Sequence, residues 1–183
     1  TGRAQTLAEH QSWAEREAID IARRVGLPAP YDQVLALAAR LHDEGKQAPV
    51  WQRAFNAPKG TILAKTVSRP NIALLDGYRH ELGSLPYAMK DARVLALEPA
   101  LKDLCLHLIA SHHGFARPVI RTSGCEDAPP SALVERAQQI ALRFSELEER
   151  WGPWGLAWWE SLLRAADQEA SRKNDAAGES EHG

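Results

Sequence analysis

Two cysteines in 183 residues, Cys105 and Cys125, supply neither a disulfide framework nor the paired spacing of a zinc ribbon. Net positive charge is also missing: 22 Lys and Arg stand against 24 Asp and Glu, a balance of -2. That excludes a globally basic nucleic-acid binder, so any contact with DNA or RNA must be local and only modestly salt-dependent. No run approaches the roughly 18 apolar residues of a membrane span. The opening stretch "TGRAQTLAEHQSWAERE" lacks the apolar core of a signal peptide, so a cytoplasmic, reducing setting is expected. There is no internal repeat, and no P-loop, because Gly45-Lys46 has neither the upstream Gly nor the following Ser or Thr. What is present is ordinary for one globular domain: 44% apolar and 25% charged residues in 20.2 kDa. Because it starts at Thr1 and not Met, the chain is expected to be a processed product or a domain of something longer.

Helical periodicity dominates. Leu7, Ala14, Ala18, Ile21 and Val25 form a stripe over 6–25 that Gly26 and Pro28 end, and His10 lies on it. A second helix is predicted over 31–44 and a short third one in "PVWQRAFN", opened by a proline suited to a first turn. "APKGTILAKTVSRPNIALLDG" has weak β character at best and reads as a long functional or mobile loop. Helical character resumes near Pro86. In "PALKDLCLHLIASHHG", Leu101, Leu104, Leu108 and His112 share one face and Cys105, Ile109 and His113 the adjoining one. After a loop carrying Arg117 and Arg121, helices follow in "SALVERAQQIALRFSELEERW" and over 154–171, with Asp167 on the apolar stripe of the last. Trp158 and Trp159, about 100° apart on a helix, cannot both face the core. An all-α bundle of about seven helices over 1–172 is the predicted fold, and 173–183 reads as a disordered polar tail.

Within that plan "LHDEGK" is anomalous. Val34, Leu37, Ala38 and Leu41 define a buried face, and His42 and Asp43 follow directly on it. A carboxylate buried without a partner costs several kcal/mol or protonates. A metal ion resolves the conflict by supplying charge to the aspartate and a use for a neutral imidazole. The plain alternative is a helix end at which His42 pairs with Asp43 and Gly45 stops the helix. Similar anomalies recur at His10, His80, His112, His113 and Asp167. Five segments each aim N or O donors inward, which is what a dinuclear site in a helical bundle requires. His107 lies on another face from His112 and is not expected to join them.

The order His10, His42-Asp43, His80, His112-His113, Asp167, in the settings "AEHQ", "LHDEGK", "RHELGS", "IASHHGFARP" and "LLRAADQEAS", resembles the HD phosphohydrolase superfamily. Within it, the resemblance is to the HD nuclease domain of the CRISPR-associated helicase-nuclease of type I systems. The resemblance implies one ion on His10, His42, Asp43 and Asp167, a second on Asp43, His80, His112 and His113, and Asp43 as the bridge. It further implies hydrolysis of single-stranded DNA, with a helicase module in the same or a partner chain and the CRISPR surveillance complex as partners. Imidazole-rich ligation favours Mn, Fe, Co or Ni (or Zn) over Mg. Lys46, one turn past His42, would approach a phosphate oxygen or the nucleophile, or is a solvated helix-end lysine. Arg79, Arg117 and Arg121 are candidates for the phosphate backbone. Glu44, where relatives often carry an apolar residue, and the long insertion between Phe55 and His80 depart from the pattern.

Two other readings remain open from sequence. One keeps the fold and changes the substrate to a nucleotide or cyclic nucleotide. The other is a non-catalytic HD-like module whose histidines pack or hold a structural metal.

Overall fold

A computed structural model describes residues 3–114 and 129–180 of the chain. Among the described residues the fold is all-α apart from one small antiparallel pair of strands, β1 (Gln5–Thr6) and β2 (Leu63–Lys65). The helices are α1 (Leu7–Val25), α2 (Tyr31–Leu41), α3 (Pro49–Ala54), the single turns α4 (His80–Gly83), α5 (Leu85–Ala88) and α6 (Ala92–Leu95), then α7 (Pro99–Ser111) and α8 (Pro130–Ser180). Thr6 caps α1 by accepting the Glu9 N–H, and Gly26, left-handed at φ 69°, closes it by donating to the Ala22 and Arg23 carbonyls.

The core lies where α1 packs on α2 and α8, α2 on α7, and α7 on α8. Ala14, Ala18 and Ala22, four residues apart on α1, are fully or nearly fully buried, and their small side chains let the helix approach its neighbours closely. Against them stand Val34, Leu35 and Ala38 of α2, Leu104, Leu108 and Ile109 of α7, and Leu156, Trp159, Leu163 and Ala166 of α8. Cys105 is buried among them, as its apolar setting predicts. Trp159 is buried while Trp158 is partly exposed, so the two neighbours do part as the helical turn requires.

Three expectations need correction. The loop between Phe55 and His80 contains β2 and a 3-10 turn at Ile72–Leu75; β2 forms because it meets β1, a long-range pairing that local pattern does not encode. The second helix stops at Leu41 instead of Glu44 and tightens into a 3-10 turn at Glu44–Gln47. The two last helices, by contrast, part where expected: α8 is a pair of helices on either side of a kink at Gly152 (φ 67°, ψ 165°), just before Pro153. The tail from 173 is helical to Ser180: Asn174 is fully buried and donates its Nδ2–H to the Arg3 carbonyl (3.0 Å), and Lys173 pairs with Glu17 (2.5 Å). Polar composition hid this because the segment is held by hydrogen bonds and an ion pair to the N-terminal region and not by an apolar stripe.

Candidate metal centre

Five elements deliver seven donors to one place. His10 comes from α1, His42 and Asp43 from the turn after α2, His80 from α4, His112 and His113 from the end of α7, and Asp167 from α8. Asp43 is only 1% exposed, and its two oxygens face different groups. Oδ2 lies 3.2 Å from His10 Nε2 and 3.4 Å from His42 Nε2. Asp167 Oδ1 closes the same group at 3.1 Å from His10 Nε2 and 3.5 Å from His42 Nε2. Oδ1 of Asp43 turns the other way, 3.2 Å from His80 Nε2 and 3.8 Å from His112 Nε2. His113 Nε2 completes that side, 3.1 Å from His80 Nε2.

The imidazole orientations are fixed from behind. His42 Nδ1 lies 2.7 Å from the Ala39 carbonyl, His112 Nδ1 2.7 Å from the Ile109 carbonyl, and His10 Nδ1 3.2 Å from Gln5 Oε1. These acceptors place the ring proton on Nδ1 and leave the Nε2 lone pair facing inward. Nε2 of His10, His42 and His112 is buried without a hydrogen bond in each case. Lone pairs of three imidazoles and two carboxylates thus converge, an arrangement that repels itself unless cations sit between them. Donors about 2.1 Å from a common ion stand about 3.0 Å apart in octahedral and about 3.4 Å apart in tetrahedral geometry, and most of the separations here fall at those values. The residues therefore fit metal ions, and they divide into groups that could each hold one: His10, His42 and Asp43 on one side, His80, His112 and His113 on the other.

Electrostatics agree with a site built for positive charge. Burial pushes the His42 imidazole down, but Asp43 and Asp167 outweigh it and raise its pKa from 6.5 to about 9. Burial raises both carboxylates and is likewise overcome: His42 and Lys46 hold Asp43, and His10 and His42 hold Asp167, well below the usual range. His112 goes the other way, pushed down by burial and by His42 and His80. His113, also lowered by burial, is the one member of the set that is exposed.

A tight interlock positions α4. Gly45 N–H donates to Ser84 Oγ (2.8 Å), which lies 2.7 Å from the His42 carbonyl and 2.9 Å from that of His80, and the Tyr78 hydroxyl donates to the Gly45 carbonyl (2.9 Å). On α8, Arg164 Nε reaches the His112 carbonyl at 3.4 Å. Gln5, Tyr78, Ser84 and Arg164 are thus supporting residues that sequence reasoning missed. Only Ser84 left a trace, in the "LGS" that follows His80.

The other expected residues divide. Lys46 is at the site, its Nζ 2.5 Å from Asp43 Oδ2 and over the Trp51 ring at 5.2 Å, so the solvated alternative does not hold. Arg79 is engaged by Glu81 (2.7 Å) and largely buried, and so does not point outward as a free backbone contact. Arg117 and Arg121 lie outside the described residues. His107 faces away, as expected, with Nε2 2.9 Å from Glu160. No helix among the described residues is long and apolar enough to cross a membrane. Comparison with protein-family models, with curated proteins and with solved structures gives no match to this chain.

Proposed function

We propose that this chain is a metal-dependent phosphodiesterase of the HD type, a nuclease that hydrolyses single-stranded DNA at a dinuclear centre. In this reading it works in the cytoplasm with a helicase module and the surveillance complex of type I CRISPR interference. The observation that carries the metal-dependent part is Asp43, whose two oxygens each face a separate set of donors, as a bridging carboxylate must. The choice of single-stranded DNA and of the CRISPR partners rests on the sequence resemblance.

Two divalent transition-metal ions, Mn, Fe, Co or Ni in preference to Mg, would be held by these two groups and would supply Lewis acidity to a phosphodiester. The chain's own part is placement. Asp43 sets the separation of the two groups, while Gln5 and the Ala39 and Ile109 carbonyls hold the rings. Lys46 neutralises Asp43 and is close enough to reach a substrate oxygen or its nucleophile. The exposed edge at His113 gives the approach.

Cleavage of end-labelled single-stranded DNA by metal-stripped protein, with Mn(II) restored, tests the reading beside Asp43→Ala and a panel of mononucleotides. Cutting by the wild type alone is the expected result. Hydrolysis of nucleotides with DNA untouched would transfer the site to a nucleotide phosphohydrolase, and absence of reaction with every divalent metal would leave a binding module.

A further inference from the structure

Lys46 is held at the centre from two sides. Its side chain is only 13% exposed, and its ammonium lies 2.5 Å from Asp43 Oδ2 and 5.2 Å from the middle of the Trp51 ring. Trp51, on α3, is itself more than nine-tenths buried, stacked on Phe55 (centroids 4.3 Å apart, planes 14° from parallel) and edge-on to His80 (4.7 Å). Its neighbour Gln52 ties α3 to the turn that carries Lys46, donating from Nε2 to the Lys46 carbonyl (2.6 Å) and to the Leu63 carbonyl (2.9 Å). The ring therefore has a fixed place against the ammonium.

An indole is a costly choice for that place. Its Nε1–H is buried with no acceptor among the described residues, a penalty that phenylalanine or leucine would avoid. What tryptophan offers beyond either is the strongest aromatic face for a cation. That face matters once divalent ions engage both oxygens of Asp43. Lys46 cannot then keep its place on Oδ2, because the charge of the carboxylate is taken up and the ions repel the ammonium. A flexible lysine stem swings out to water unless a second partner holds its head. The Trp51 ring is that partner, uncharged and so not claimed by the ions, and already in contact.

We infer that Trp51 is a positioning residue: its indole face keeps the Lys46 ammonium at the edge of the loaded centre and presents it to a non-bridging oxygen of the phosphodiester. This rests on the phosphodiesterase reading above.

The test is a double-mutant cycle on the Mn(II)-loaded chain: wild type, Lys46→Met, Trp51→Leu and the two together, with Trp51→Phe as the conservative variant. Each protein is read for orthophosphate affinity by calorimetry, metal per chain, melting temperature and cleavage of end-labelled single-stranded DNA. Lys46→Met is expected to weaken orthophosphate by about 10- to 100-fold, as for the loss of one hydrogen bond to a charged group. Trp51→Leu should weaken it about 5- to 30-fold where Lys46 is present and have no effect in the Lys46→Met background. Trp51→Phe, which keeps a weaker face, should lose only about 2- to 5-fold, again only where Lys46 is present, and this arm decides if Trp51→Leu does not fold. Metal per chain should stay the same throughout. Equal losses from Trp51→Leu in both backgrounds overturn the inference, and so does unchanged affinity in Trp51→Leu. Loss of metal in Trp51→Leu also overturns it, since the ring would then be a prop for His80. Coupling between Trp51 and Lys46 in orthophosphate binding, with no cleavage of any phosphodiester by the wild type, would sink the nuclease reading and leave this placement standing. Cleavage by the wild type with additive losses would do the reverse.

Discussion

At the scale of the residue, Gly45 decides whether the two halves of the site can meet. Its φ is unremarkable and its value is the space it leaves: a Cβ there would stand 2.1 Å from the His80 carbonyl oxygen and 2.8 Å from the Ser84 nitrogen. Those atoms are backbone and cannot swing aside, so α4, and His80 with it, must retreat. Gly45→Ala should therefore destabilise the fold by about 3 kcal/mol or more in a urea titration, at or beyond the upper end of core overpacking. The ion on the His80 side should be lost before the one on the His10 side, read as metal per chain after dialysis. Ser84→Ala is the milder companion. It leaves the buried Gly45 N–H without its acceptor, at about 1 to 3 kcal/mol. A Gly45→Ala protein that kept both ions and its urea midpoint would show that the interlock does not set the site.

Among the elements, the last two turns of α8 do work that composition conceals. Asn174 ties that end to the Arg3 carbonyl just ahead of β1, and Lys173 ties it to Glu17 on α1. Asn174→Ala should lower stability by about 1 to 2 kcal/mol, seen as a reduced melting temperature, and truncation after 172 should cost more. A truncated chain that melts with the full one would return the segment to the status of a tail. The same contrast explains what could be read in advance. His10, His42, Asp43, His112, His113 and Asp167 were legible because each sets an ionisable group on or directly after an apolar helical stripe, a local conflict visible in a single window, whereas His80 lies ahead of the helical character near Pro86 and stood out only through its place in the order of motifs. Gln5 and Ser84 set up no such conflict. Their roles come from β1 meeting β2 and from α4 meeting the turn after Asp43, pairings between positions far apart in the chain. The helices themselves were legible from period and caps, whereas β2 and the helical end of α8 depend on partners that no local pattern names.

For the whole molecule, the centre makes stability depend on pH in opposite senses with and without metal. In the metal-free protein a proton on His42 stands in for the ion, and its folded pKa is raised from 6.5 to about 9. A raised folded pKa contributes stability that is fully present below about 6.5 and is lost as pH rises through about 9. The carboxylates of Asp43 and Asp167 act in the other direction. Held below their ordinary range, they contribute stability above it that is lost only in acid. Metal-free protein should thus melt at a lower temperature at pH 9.5 than at pH 7. Metal ions need the imidazoles neutral, so protons compete with them and their stabilisation grows as pH rises out of the mildly acidic range. Melting curves from pH 5.5 to 9.5 with chelator and with saturating Mn(II) or Co(II) should accordingly diverge: little separation at the acid end, and a gap that widens steadily toward the alkaline end. Parallel curves would mean that metal and proton do not share His42, and that the convergence of lone pairs on Asp43 is resolved by protons alone.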